Sequence, residues 1–109
     1  MLRVLKEIEA ATGLKPIPLQ TNKAEKCIVY KSWQTAAFAY RLELRVIDFS
    51  LAGAEATTAA IIQAINSTGD VNKIVGIPSI VLNGGGVLID NETNTVQRLL
   101  YFDVTKKEF

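Results

Sequence analysis

Between Ala36 and Phe49 apolar and polar side chains alternate with hardly a break. Phe38, Tyr40, Leu42, Leu44 and Val46 fall on one side; Ala39, Arg41, Glu43, Arg45 and Ile47 fall on the other. Successive side chains of a strand point to opposite faces, so a period of two predicts a β-strand with the first set turned to the core. Arg41, Glu43 and Arg45 then line the outward side. A strand over all of 36–49 would exceed the usual length of about 3–10 residues.

The rest of the pattern places this strand in a small α+β fold. Residues 2–12 repeat apolar side chains at Leu2, Leu5 and Ile8, with Val4 and Ala11 beside them, which predicts a helix. Gly13 is its expected stop, Pro16 and Pro18 forbid continuation, and 14–24 reads as an extended connection. Residues 25–34 are rich in β-branched and aromatic types and predict a strand, hairpinned to the next near Gln34-Thr35. Ser50 is placed to cap a helix over 51–66. Leu51, Thr58, Ile61, Ile62 and Ile65 form its apolar stripe, and Ala52, Ala56, Ala59, Ala60 and Ala64 a second surface of small side chains. Gly69 in "NSTGD" is the expected stop.

Residues 79–90 read as strand, glycine break, strand, with a bulge or bend at Gly84-Gly85-Gly86 able to keep them one bent strand. "NETN", 91–94, is a turn cluster, and 96–105 the last strand. There Arg98, Leu100, Phe102 and Val104 oppose Gln97, Leu99, Tyr101 and Asp103, and the pattern leaves the inward side open. The expected order is α-β-β-α-β-β, a single domain over 1–109. Two helices would pack on one face of a mainly antiparallel four-stranded sheet. Gly84, Gly85, Gly86 and the turn residue Asn91 are expected to form a mobile hairpin, because glycines pack nothing.

Chemistry is sparse. The 109 residues contain no histidine, which removes the commonest general base and metal ligand. Cys27 is the sole cysteine, in an apolar run that suits a buried small hydrophobe, so thiolate metal sites and internal disulfides are excluded. No catalytic residue, metal site or cofactor is expected. "NGGG", 83–86, lacks the lysine and the following helix of a phosphate cradle. Trp33 and Tyr30 lack the paired basic surface of a base-stacking platform. Asp48 and Asp103 both close strands and are the one carboxylate pair the fold could assemble. With a net charge of +1, a nucleic-acid partner is not indicated, and Lys106-Lys107 reads as a solvated tail. No apolar run approaches the ~18 residues of a membrane span, and the N-terminus shows no export pattern.

What remains is surface for association. An open sheet has two edges, and long unpaired edges are blunted or used. The candidate contact residues are Arg41, Glu43 and Arg45 on the long strand, and Ala52, Ala56 and Ala59 on the alanine-rich helix. Alternating charge gives register, and small side chains admit close approach.

The succession of a short helix, a proline-bearing connection, "IVYKSW", "YRLELRVID" and a Ser-x-x-x-Ala-Glu-Ala helix resembles the small tail terminator and head–tail completion proteins of tailed bacteriophages and prophages. "LLYFDV" near the end is similar too, so the resemblance spans roughly 1–67 and 96–104. The glycine hairpin at 83–95 departs from it. The resemblance implies a virion structural protein without enzymatic activity. It implies a ring homo-oligomer, often a hexamer, that caps the tail tube or joins it to the head. Its partners would be further copies of itself and tail-tube or head-completion proteins, with no membrane, and DNA as passing cargo at most. Its place would be the virion tail, and the host cytoplasm during assembly. The alternatives are a small α+β ligand-binding or enzymatic domain with a site on the open sheet face, or a generic adaptor.

Overall fold

The computed structural model describes residues 2–18, 25–66, 74, 77 and 79–105. Helix α1 spans Leu2–Thr12, and Val4 and Ile8, about one turn apart, are completely buried. Gly13 ends it in the left-handed region, with φ of 75°, and donates its N–H to the Glu9 carbonyl at 2.8 Å. Ser50 caps α2, Leu51–Ile65, its hydroxyl accepting the Gly53 N–H at 3.0 Å. The buried stripe of α2 is Ala54, Thr58, Ile61 and Ile65. Leu51, expected in that stripe, is instead 51% exposed.

Five strands form one sheet: β1 Ile17–Pro18, β2 Cys27–Ala36, β3 Ala39–Asp48, β4 Ser79–Asp90 and β5 Thr95–Thr105. Their order across the sheet is β1-β2-β3-β5-β4, antiparallel throughout except where β1 runs parallel to β2. The class is α+β, as the sequence predicts. The short β1 is a fifth strand inside the stretch expected to be a plain connection. Two residues carry no readable period, and Ile17 and Pro18 pair only with Val29 and Tyr30.

The long strand is shorter than its alternation suggests. It spans Ala39–Asp48, and the hairpin turns at Ala37 and Phe38 rather than near Gln34-Thr35. Phe38 therefore leaves the core and stands 51% exposed at the turn. Alternation reports only which side a residue would take if the strand continued; it does not report where the chain reverses.

Both helices lie on one face. There Tyr40, Leu42, Leu44 and Val46 of β3 meet Leu100, Phe102 and Val104 of β5, Ile28 of β2, Ile80 of β4, and Val4, Ile8, Ala54, Ile61 and Ile65 of the helices. Ile74 and Ile77 join the same cluster. Phe102 anchors it; burying a side chain of this size contributes roughly 1.5–3 kcal/mol. The inward side of β5, open in the sequence, is thus the Leu100–Phe102–Val104 side. Gly69 and Lys106-Lys107 lie outside the described residues.

Candidate assembly surface

The face without helices is the candidate site. Register across β2, β3, β5 and β4 sets its side chains in rows. Trp33, Arg41, Asp103 and Val81 form one row; Lys31, Glu43 and Tyr101 the next; Val29, Arg45, Leu99 and Gly86 another; Cys27, Ile47, Gln97 and Leu88 a fourth. In the first row the Arg41 Nε donates to Asp103 Oδ1 at 3.0 Å, and Asn83 Nδ2 donates to Asp103 Oδ2 at 2.6 Å. The Asn83 hydrogen bond first, and the Arg41 guanidinium second, hold the Asp103 carboxyl below its ordinary 3.8. The Lys31 ammonium lies 5.5 Å from the centroid of the Trp33 ring, a cation–π distance. Farther along, Ile47 and Gln97 are buried although no helix covers them, and neither amide atom of Gln97 has a protein partner.

Arg41, Glu43 and Arg45 are brought together here as the alternation predicts, but not on a free edge. β3 and β5 are interior strands paired on both sides, so neither offers a free edge for association. Arg41 is engaged by Asp103, and all three residues are half-buried. Ala52, Ala56 and Ala59 are exposed on α2, in the helical layer, so the two predicted sets lie on opposite sides of the sheet. Asp48 and Asp103 do not form a carboxylate pair. Asp48 stands in register with Val96 and Asp103 with Arg41, and the seven steps of β3 between those rows span roughly 23 Å. Asp48 instead serves the start of α2 and its own strand end. Its Oδ1 accepts the Phe49 and Ser50 N–H groups at 2.6 and 3.4 Å, and its Oδ2 lies 3.8 Å from Lys26 Nζ.

The free edges belong to β4 and to the far half of β2. Among the described residues no strand pairs with the outer side of β4, and β1 covers β2 only at Val29 and Tyr30. β4 is one bent strand, with its irregularity between Leu82 and Gly85. There Asn83 and Gly84 stand against the single residue Tyr101, the signature of a bulge. Gly84 takes φ of 110°, and a Cβ on Gly85 would overlap the Leu99 carbonyl oxygen, so both positions require glycine. Gly86 has open space around its Cα. At the turn, Asp90 Oδ1 accepts the Glu92 and Thr93 N–H groups at 3.0 and 3.4 Å, Asn91 is exposed, and Asn94 has φ of 53°. Exposed apolar side chains gather at these edges: Trp33 and Phe38 near β2, and Val81, Val87, Leu88 and Ile89 on β4.

Among the described residues, two grooves lie on the helical side. One, of about 450 Å³, runs beside the bulge between Glu55, Leu82, Gly84–Gly86, Val87 and Arg98; its wall is the Arg98 Nε to Glu55 Oε1 hydrogen bond of 3.1 Å. The other, of about 330 Å³, lies between α1 and β1, against Leu5, Lys6, Glu9, Pro18 and Tyr30. Among the described residues no group of three or more Cys, Asp or Glu is placed to hold a metal ion. No helix among them is long and apolar enough to cross a membrane. The residues missed by sequence reasoning are Asn83, Val81 and Trp33. Asn83 carried a signal as the residue before a glycine run; the edge placement of the other two carried none.

Two helices on one face of a mainly antiparallel sheet, with polar side chains bridged on the other, define a small two-layer α+β protein. Its fold is similar to that of a chain in the virion of a native gene transfer agent particle, with a TM-score of 0.66 at 13% identity. The likeness covers 96% of this chain and 92% of that one. At such identity it is a likeness of fold. No family model and no curated protein matches the sequence.

Proposed function

We propose that this chain is a virion structural protein of a phage-like particle, a ring subunit of the tail terminator or head–tail joining kind. The observation that carries the reading is the fold likeness to a chain of the gene transfer agent virion over nearly the whole of both chains. The resemblance of "IVYKSW", "YRLELRVID" and the Ser50–Ala56 helix start to tail terminator and head–tail completion proteins points the same way. The geometry suits a building block: hydrogen bonds bridge the polar side chains of the open face, and apolar side chains are exposed along both sheet edges. The partners are further copies of the chain, and tail-tube or head-completion proteins.

Deleting the gene from a genome that produces such particles, and viewing the lysate by electron microscopy, tests this. Filled heads without tails, or tails of uncontrolled length, are expected. Normal particles, with the chain absent from their protein content, would refute the reading.

A further inference from the structure

We propose that copies of this chain join edge to edge, the outer side of β4 in one copy receiving the Lys31–Ala36 stretch of β2 in the next. The proposal rests on the reading of the chain as a ring subunit and names the contact that builds the ring. Four observations carry it. The long strands alternate in direction across β2, β3, β5 and β4, and four is an even number. A neighbour's β2 laid beside β4 therefore continues the antiparallel alternation without a break, and such head-to-tail contacts give a ring when the rotation between copies closes and a filament when it does not.

The free stretches also match. Among the described residues β1 pairs with β2 only at Val29 and Tyr30, which leaves Lys31–Ala36 beyond it without a strand partner on that side, and the rows from Ala36 to Ser32 lead across the sheet to Ser79–Leu82 of β4. The bulge follows immediately: Asn83 and Gly84 share the row of Lys31, and Gly85 that of Tyr30, beside which Pro18 of a neighbour's β1 would stand. β4 thus runs regularly opposite Ser32–Ala36 and bends in the Lys31 row, one row before the neighbour's β1. Finally, the ends of one row are complementary. Trp33 and Val81 stand at opposite ends of the Arg41–Asp103 row on the same face, 39% and 37% exposed. Continuing the sheet without a shift sets Val81 directly opposite Trp33 of the next copy. Each apolar side chain covers the other, as aromatic and β-branched cross-strand pairs do. Pairing β4 with β4 would leave the Trp33 edge uncovered.

Cysteines at opposed positions of an antiparallel pair fall within disulfide reach. In a Cys27→Ser background, W33C and V81C together should give disulfide-linked oligomers on mild oxidation, while either substitution alone gives none. Circular dichroism establishes that each variant folds. Val81→Lys, at an exposed edge position, should keep the fold and lose the oligomer in native mass spectrometry, since it sets a charge opposite Trp33 and beside Lys31 of the neighbour. Disulfide dimers from V81C alone would overturn the proposal in favour of β4 pairing with β4. A ring in native mass spectrometry without W33C–V81C crosslinks would overturn the edge contact and leave the ring reading standing. Open filaments that do crosslink would uphold the contact and overturn the ring. A monomer at all concentrations, without crosslinks, would overturn both.

Discussion

On the helical side of the sheet Leu42, Leu44, Leu100 and Phe102 are completely shut from solvent; on the other side, in the same strands, Arg41, Glu43, Tyr101 and Asp103 remain half-buried. The two sets interleave residue by residue, so local backbone geometry is shared and only the covering differs. Under the helices, cohesion comes from apolar burial, which needs no direction but tolerates no void. On the open side it comes from directed contacts such as Arg41–Asp103–Asn83, which hold register while contributing little stability where they are solvated. Stability and positioning are thus assigned to opposite faces.

The contrast between the faces is widest at Phe102. Truncation to alanine should cost about 3–5 kcal/mol, read as a lowered midpoint in urea. Comparable truncation of Trp33, at the exposed rim of the open face, should cost far less; equal losses would mean that the open side carries core energy as well.

Gln97 probes the same contrast from the open side. It is buried there with its amide unpaired by protein, and an unpaired buried polar group costs roughly 1–3 kcal/mol. Gln97→Met, similar in length, should raise the denaturation midpoint. A drop would reveal that the amide is bonded after all.

At the bulge, Gly85→Ala should cost on the order of 1–3 kcal/mol, because the new methyl meets the Leu99 carbonyl and φ is 158°. Gly86→Ala, with space around it, should be near neutral. Amide hydrogen exchange across 84–95 in the same proteins would test the mobility proposed for this hairpin: fast exchange supports it, and protection along the β5-facing side of β4 argues for a rigid bulge.

Smaller effects appear with pH. The Asp103 carboxyl is lowered below 3.8 in the fold. Its contribution is therefore complete above that ordinary value and fades as pH falls through it toward the lowered folded value. Asp103→Asn should flatten the acid limb of the melting profile by less than about 1 kcal/mol, since the group is solvated. Tyr40 behaves oppositely: burial pushes its hydroxyl up from 10.0 to about 12. Its contribution is complete below 10 and is lost as pH rises through about 12. An ultraviolet titration should show a tyrosine phase near pH 12, and Tyr40→Phe should remove that phase.

The fold class and much of its detail were legible in the chain because their causes are local. The period of two in Tyr40–Val46 names the buried side of β3, Gly13 stops α1, Ser50 starts α2, and three glycines announce the bend in β4. Each is set by neighbours a few residues away. Tertiary structure alone decided which strands are central and which are edges. Pairing β3 with β5 joins residues 48 to 66 positions apart, from Asp48–Val96 to Ala39–Thr105, and β4 with β5 leaves Val81 at the rim; no period within a strand encodes its neighbour. The same long-range pairing turned Arg41 from a candidate free contact into a partner of Asp103. It inserted β1, too short to show a pattern, and placed Trp33 and Val81 at the two ends of one row. Burial preference is written residue by residue, whereas edges and surfaces arise only when distant strands choose their order.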